Sequence, residues 1–185
     1  ANWNDEFYWL VGLMDGLQAV LNDLASEGSA NVPLDISLKV GRGASCLDNT
    51  QWWGVPDAIQ SAIWISFPAN KPEDIEPLLV LDKAMQTGLQ QGMRLAQVVA
   101  AKIYIGLGDA ERVKAIIRDN VNTRSSMPAN PSFLFLDKVA TIQLQAISDL
   151  MWTEATGTRT PMGGLGTFWD DPDNSTDTVD IVDIL

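Results

Sequence analysis

The sequence predicts a mainly α-helical fold, with about five helices packed around one long kinked helix. Apolar residues recur every three or four positions over most of the chain, the spacing that lines one face of an α-helix. The clearest example is segment 72–121, whose single internal stop at residues 106–109 predicts two helices folded back on each other. Two segments lack this period: an extended excursion over residues 28–55 and an extended acidic C-terminal arm over residues 158–185.

Length and composition indicate one folded domain. The chain has 185 residues, of which 46% are hydrophobic and 19% are charged. These values are ordinary for a globular protein that is large enough to bury a core. We therefore predict a single helical domain over residues 1–157, followed by the arm over residues 158–185.

The net charge of −12 argues against two classes of partner. Residues 170–185 contain six aspartates and no cation, and the chain has no cluster of lysines and arginines. Nucleic acids select a cationic surface, and anionic lipids repel an acidic one. No apolar run is long enough to span a bilayer. We expect a soluble protein that binds neither nucleic acid nor membranes directly.

The absence of histidine excludes several kinds of chemistry. Without histidine the chain lacks the usual general base near neutral pH and the usual zinc ligand. Cys46 is the only cysteine, which excludes an internal disulfide and a thiolate metal cluster. We therefore expect no catalytic residue, no metal site and no cofactor.

The first predicted helix covers residues 4–25. Asn4 is placed to accept a backbone N–H as the cap, and Gly28 supplies a left-handed stop after the last turn. The apolar residues at helical spacing are Phe7, Leu10, Val11, Met14, Leu17, Val20, Leu21 and Leu24.

The excursion after this helix carries a different period. Apolar and polar residues alternate over residues 32–40, the period of two that is typical of a half-buried strand. The only comparable segment is 178–185, where the alternation is imperfect. A small two-stranded patch and an extended surface arm are both consistent with this pattern.

A short helix is predicted next. Pro56 suits its first turn, and Phe67-Pro68 ends it because a residue before proline disfavours helical geometry. The chain continues into an acidic turn after Pro72.

The long helix is predicted to run from a kink or restart at Pro77 to about Gly106, which at 1.5 Å per residue gives about 45 Å. Gly88 and Gly92 lie four residues apart on one side of it. They indicate either a close approach of another backbone or a bend, or else glycines tolerated on a polar face.

Two further helices complete the domain. Asp109 can cap a helix that ends near Val121. Asn130 and Pro131 form a cap followed by proline at the first helical position, and the helix they begin ends near Gly157.

Aromatic residues give the candidate partner contacts. Seven tryptophans are many for this length, and two adjacent ones in an extended loop would point to opposite sides, so at least one should lie near the surface. Tryptophan is enriched at the centres of protein interfaces, although these residues could equally plug the end of the helical bundle. The predicted partner-binding residues are Trp52, Trp53, Phe168, Trp169, Asp170 and Asp171.

The arm also contains a weak calcium pattern. Alternate oxygen ligands resemble the start of a calcium-binding loop, but Thr176 stands where glycine is needed and Val182 where a bidentate glutamate is needed. A solvated acidic tail explains the same residues. The residues in question are Asp171, Asp173, Ser175 and Asp177.

Paired carboxylates near tryptophans raise the question of glycoside hydrolysis. The helix dipole explains the same acids, because anionic residues are favoured in the first turn of a helix. The residues in question are Asp57, Glu73, Asp74 and Glu76.

These observations favour a non-catalytic structural protein, a helical subunit that contacts other protein subunits in a homo- or hetero-oligomer, such as a virion or secretion assembly. Surplus tryptophan, two irregular segments and the lack of a convincing active site support this expectation. One alternative is an acidic inhibitor or immunity-type protein that binds a basic cleft. A second alternative is a small-ligand or carbohydrate binder that uses the tryptophans.

Overall fold

The computed structural model describes residues 2–172, and every regular element within this range is helical. The mainly α prediction is therefore confirmed, whereas the predicted count of about five helices is too low. Two short 3-10 turns cover Pro68–Asn70 and Pro131–Phe133. The seven α-helices are α1 Trp3–Ala25, α2 Asp35–Ala44, α3 Val55–Ser66, α4 Pro77–Gln90, α5 Leu95–Gly106, α6 Ala110–Asn122 and α7 Leu134–Thr156.

Helices α3 and α5 form the centre of the bundle. Helix α3 contacts α1, α2, α4 and α5, and α5 contacts α3, α4, α6 and α7. Helix α5 is apolar on nearly all sides, as expected of a helix surrounded by others. Its buried residues are Leu95, Ala96, Gln97, Val98, Val99, Ala100, Ala101, Ile103 and Tyr104.

The prediction of one long kinked helix is wrong, because α4 and α5 are separate helices that pack against each other. The chain turns at Gly92, whose φ of +69° lies in the left-handed region. The Gly92 carbonyl accepts a hydrogen bond from the Asn130 backbone N–H at 3.0 Å. A β-carbon on Gly92 would lie 2.7 Å from the Pro128 carbonyl oxygen, so only glycine fits this turn.

Gly88 marks a close approach of two backbone segments, as one interpretation of its spacing predicted. A β-carbon there would lie 2.7 Å from the Met93 carbonyl oxygen and 2.8 Å from that of Trp53. Gly54, which follows Trp53 in the chain, has a φ of +77°, and a β-carbon added to it would overlap the Ala84 carbonyl. The loop that precedes α3 therefore lies directly on α4.

The predicted strand at residues 32–40 is wrong, and the excursion over residues 28–55 is not extended, since it contains α2. The apolar residues that suggested a period of two instead lie on two different faces of the helical segment. Val40 is buried and Ile36 packs against the core, whereas Leu34 and Leu38 are exposed on the other side. Residues 178–185, the proposed partner strand, lie outside the described residues.

A buried ion pair joins α5 to α7. The Arg94 guanidinium Nη1 lies 3.0 Å from Asp137 Oδ1, and both side chains are almost completely buried. The same carboxylate oxygen accepts the Arg94 backbone N–H at 3.1 Å. Arg94 Nη2 also donates to the Met127 carbonyl at 2.6 Å, which ties the α6–α7 connection to the start of α5.

The helix ends follow the predicted chemistry with two shifts. Asp109 caps α6, and Gly157 ends α7 with a φ of +77°, as predicted. Asn2 rather than Asn4 caps α1 by accepting a backbone N–H. Asn130 caps the 3-10 turn before α7 instead of α7 itself.

Gly88→Ala is expected to lower the free energy of unfolding by about 1–3 kcal/mol, because its methyl group would collide with two backbone carbonyls. Gly12→Ala is the matched control, since Gly12 lies within α1 with nothing within 4 Å of an added β-carbon. That variant should gain up to about 1 kcal/mol through helix propensity. Urea unfolding measures both, and equal effects would contradict the close approach at Gly88.

Asp137→Ala is expected to lower the free energy of unfolding by about 3–5 kcal/mol, because it leaves the buried Arg94 guanidinium without its counterion. The double variant Arg94→Met/Asp137→Leu removes both charges and should recover much of this loss. Urea unfolding of the single and double variants tests the pair. A double variant less stable than Asp137→Ala would show that the charges themselves are required.

Candidate interaction surfaces

Trp52 and Trp53 are both buried, so the prediction that one of them lies near the surface is wrong. The loop turns at Trp53, whose φ of +58° is left-handed, and both rings therefore reach the interior. Trp52 Nε1 donates to Glu6 Oε2 at 3.0 Å. The Trp53 ring packs edge-on against Phe133 at 4.8 Å between centroids.

These tryptophans belong to an aromatic cluster at one end of the bundle. Trp3 stacks on Phe7 with centroids 5.3 Å apart and on Phe133 at 6.0 Å, and its ring lies 5.2 Å from that of Trp52. The cluster joins the start of α1, the loop before α3 and the start of α7. This arrangement matches the alternative expectation that tryptophans plug the end of the bundle.

The acidic residues of the predicted partner-binding set pair with cations of α6. Asp170 forms an ion pair with the buried Lys114, and Asp171 forms one with Arg118. The hydrogen bond from Lys114 holds the pKa of Asp170 below its usual value. Asp171 Oδ2 also accepts the Phe168 backbone N–H at 2.9 Å. These two charges are therefore compensated within the chain.

The aromatic residues of the same segment pack on α6 and α7. Phe168 is completely buried, with the Lys114 ammonium 5.7 Å from its ring centroid. The Trp169 ring lies edge-on against Trp152 at 5.7 Å. Trp152 Nε1 in turn donates to the Thr167 carbonyl at 3.1 Å. Binding of this segment to another chain stays a prediction.

The calcium pattern gains no support from the part of the chain that is described. Asp171 is engaged by Arg118, and Asp173, Ser175 and Asp177 lie outside residues 2–172. Within that range no three carboxylate, cysteine or histidine side chains come together in a way that could hold a metal ion.

The carboxylates considered for glycoside hydrolysis differ in exposure. Glu73, Asp74 and Glu76 are exposed in the connection that precedes α4. Asp57 is half-buried in the first turn of α3, where loss of hydration raises its pKa.

The outer face of α7 is an apolar stripe that the sequence analysis did not single out. Phe135 is 76% exposed, Ile142 is 67% exposed and Leu150 is 52% exposed. Val139 and Ala146 lie between them at spacings of three and four, so the five residues share one side of the helix. The opposite side faces the core, and Ala140 and Leu144 on that side are fully buried. Helix α7 thus has two apolar faces, and only one is covered by the described residues.

A groove opens between the C-terminal ends of α1, α3 and α5. It has a volume of about 560 Å³, and an adjoining cavity of about 140 Å³ shares Gln18 and Lys102 with it. Lys102 Nζ donates to Gln18 Oε1 at 2.6 Å, and burial lowers the pKa of the Lys102 ammonium. The large apolar side chains that line the larger groove are Leu21, Leu24, Ile65, Ile103, Ile105 and Leu107.

The chain matches no known protein family, no curated protein and no solved structure. Along residues 2–172, none of the helices is both long enough and apolar enough to cross a membrane.

Phe168→Ala is expected to lower the free energy of unfolding by about 3–5 kcal/mol, since it empties a fully buried aromatic position. Met162→Ala is the control in the same segment, because Met162 is exposed and its loss should change stability by no more than about 0.5 kcal/mol. Urea unfolding compares the two. If Phe168→Ala behaved like the control, residues 158–172 would not be part of the folded domain.

Proposed function

We propose that this chain is a non-catalytic assembly subunit whose first partner is a second copy of itself, bound through the outer face of α7. The observation that carries the proposal is the exposed stripe of Phe135, Ile142 and Leu150. A helix that is apolar all round is typical of a buried position, and contiguous exposed apolar surface is typical of a contact site.

The stripe is suited to pairing with itself. We consider two α7 helices packed antiparallel about a two-fold axis between Ile142 and Gln143. Counting along the helix places Phe135 opposite Leu150 of the second copy, and Val139 opposite Ala146 of the second copy. Each pairing sets a larger side chain against a smaller one, which allows the two surfaces to interlock. Such an isologous contact is the commonest way in which soluble chains form dimers.

Charges at the edge of the stripe support the same arrangement. Lys138 and Asp149 are eleven residues apart, about three helical turns, and therefore lie on one flank of α7. In the antiparallel pair Lys138 of one copy approaches Asp149 of the other, and symmetry repeats the contact. Hydrogen bonds from Thr160 and Gln145 lower the pKa of Asp149, which favours its charged form. This opposite-charge contact offsets part of the repulsion between two chains of net charge −12.

The wider role that we propose extends the expectation from the sequence. A dimer of this kind would be a unit of a larger complex, such as a virion or secretion assembly, in which further protein subunits bind other surfaces.

Ile142→Glu is expected to weaken self-association by at least about tenfold, because it places an unpaired carboxylate at the centre of the contact. The matched control is Leu79→Glu, which makes the same kind of change at an exposed position of α4. Light scattering over a range of concentrations should give a dimer for the wild type and for Leu79→Glu, and a monomer for Ile142→Glu.

A wild-type chain that stays monomeric at the highest concentrations would overturn the proposal. Salt provides a further test, since an apolar contact should persist at about 0.5 M NaCl, where exposed charges are largely screened. Association that disappears at that salt concentration would instead favour the electrostatic alternative, in which acidic residues seek a basic partner.

A further inference from the structure

We propose that the groove between the ends of α1, α3 and α5 binds a small amphiphile, an aliphatic chain with one anionic head group, and that Lys102 contacts the head group. A long-chain carboxylate is the simplest ligand of this class. The groove is separate from the outer face of α7, so this inference does not depend on the proposed self-association.

The dimensions and the walls of the groove fit an aliphatic chain. Its volume of about 560 Å³ falls within the range of about 300–1,000 Å³ that is usual for small-molecule sites. Leu24, Ile105 and Leu107 line it and remain substantially exposed. A bound aliphatic chain would cover this apolar surface, at a gain of about 25 cal/mol for each Å² removed from water.

Lys102 supplies a local contact for an anionic head group, and the head group must lie at this side chain because the helix C-terminal ends at the groove carry partial negative charge. Among the described residues, Lys102 is the only charged one that lines the groove. It forms no ion pair with any residue in the described part of the chain, although Asp15 lines the adjoining cavity. A lysine ammonium has three N–H donors, and the hydrogen bond to Gln18 uses one of them.

Lys102 lies where a neighbouring anion would stabilise its charged form. A lysine that merely covers apolar surface keeps its ammonium in water. Here the side chain is half-buried at the junction of two cavities, and this burial lowers its pKa. A carboxylate beside the ammonium would offset the lost hydration.

Calorimetric titration with decanoate tests the proposal, and decanol serves as the uncharged probe of the same chain length. Wild-type protein should bind decanoate at one saturable site and decanol about tenfold more weakly, the difference expected for one charged hydrogen bond. Lys102→Met keeps the length of the side chain and removes the charge, so decanoate affinity should fall about tenfold while decanol affinity stays unchanged.

Two further variants give the matched comparison. Lys83→Met removes an exposed lysine of α4 that lies outside the groove and outside the contact on α7, and this variant should bind both probes as the wild type does. Ile105→Glu adds an anion to the wall and should reduce the binding of both. The absence of saturable decanoate binding by the wild type would overturn the proposal. So would equal decanoate affinity in Lys102→Met and the wild type. Normal decanoate binding by Ile142→Glu would separate this site from the contact on α7.

Discussion

The buried contact between Arg94 and Asp137 determines how the two halves of the bundle meet. Asp137 accepts both the side chain and the backbone N–H of Arg94, so a single carboxylate sets where α5 begins and how α7 lies along it. Such a pair is costly to bury, and here Asp137 Oδ1 makes both contacts, whereas Asp137 Oδ2 and Arg94 Nε have no hydrogen-bond partner among the described residues. Once α7 is fixed in this way, its second apolar face must point outward. The far end of α5 then lies beside the ends of α1 and α3, where the groove forms.

Much of the helical architecture could be predicted, because apolar spacing and capping chemistry are local signals. The break between α4 and α5 could not, since both helices bury a stripe and the period continues across residues 91–94. The turn is evident only from the structure around Gly92, where the left-handed conformation of this residue separates the two helices. The misassigned strand has a similar origin. A short helix with two apolar faces also produces alternation over a few residues. The ion pair between Asp35 and Lys39, four residues apart, is a local sign of this helix.

The candidate surfaces were less predictable than the fold. The burial of Trp53 depends on a positive φ that non-glycine residues seldom adopt, so its sequence context suggested exposure. The stripe on α7 is visible in the sequence, but the apolar residues on the opposite face already explain why this segment forms a helix. In the sequence, Lys102 is a single charge within the apolar segment that forms α5. Its importance comes from helices α1 and α3, which are distant in sequence and surround it in space.

The contacts of Lys114 and Arg118 bear on the order in which the protein acquires its structure during translation. Both cations lie on α6, whereas Asp170 and Asp171 emerge from the ribosome some fifty residues later. Until then Lys114 lacks its long-range counterion and the site of Phe168 is empty, so the nascent bundle is incomplete. Domains generally fold as units while the chain is synthesised. For this protein the final consolidation of α6 and α7 must therefore wait for the residues that follow α7.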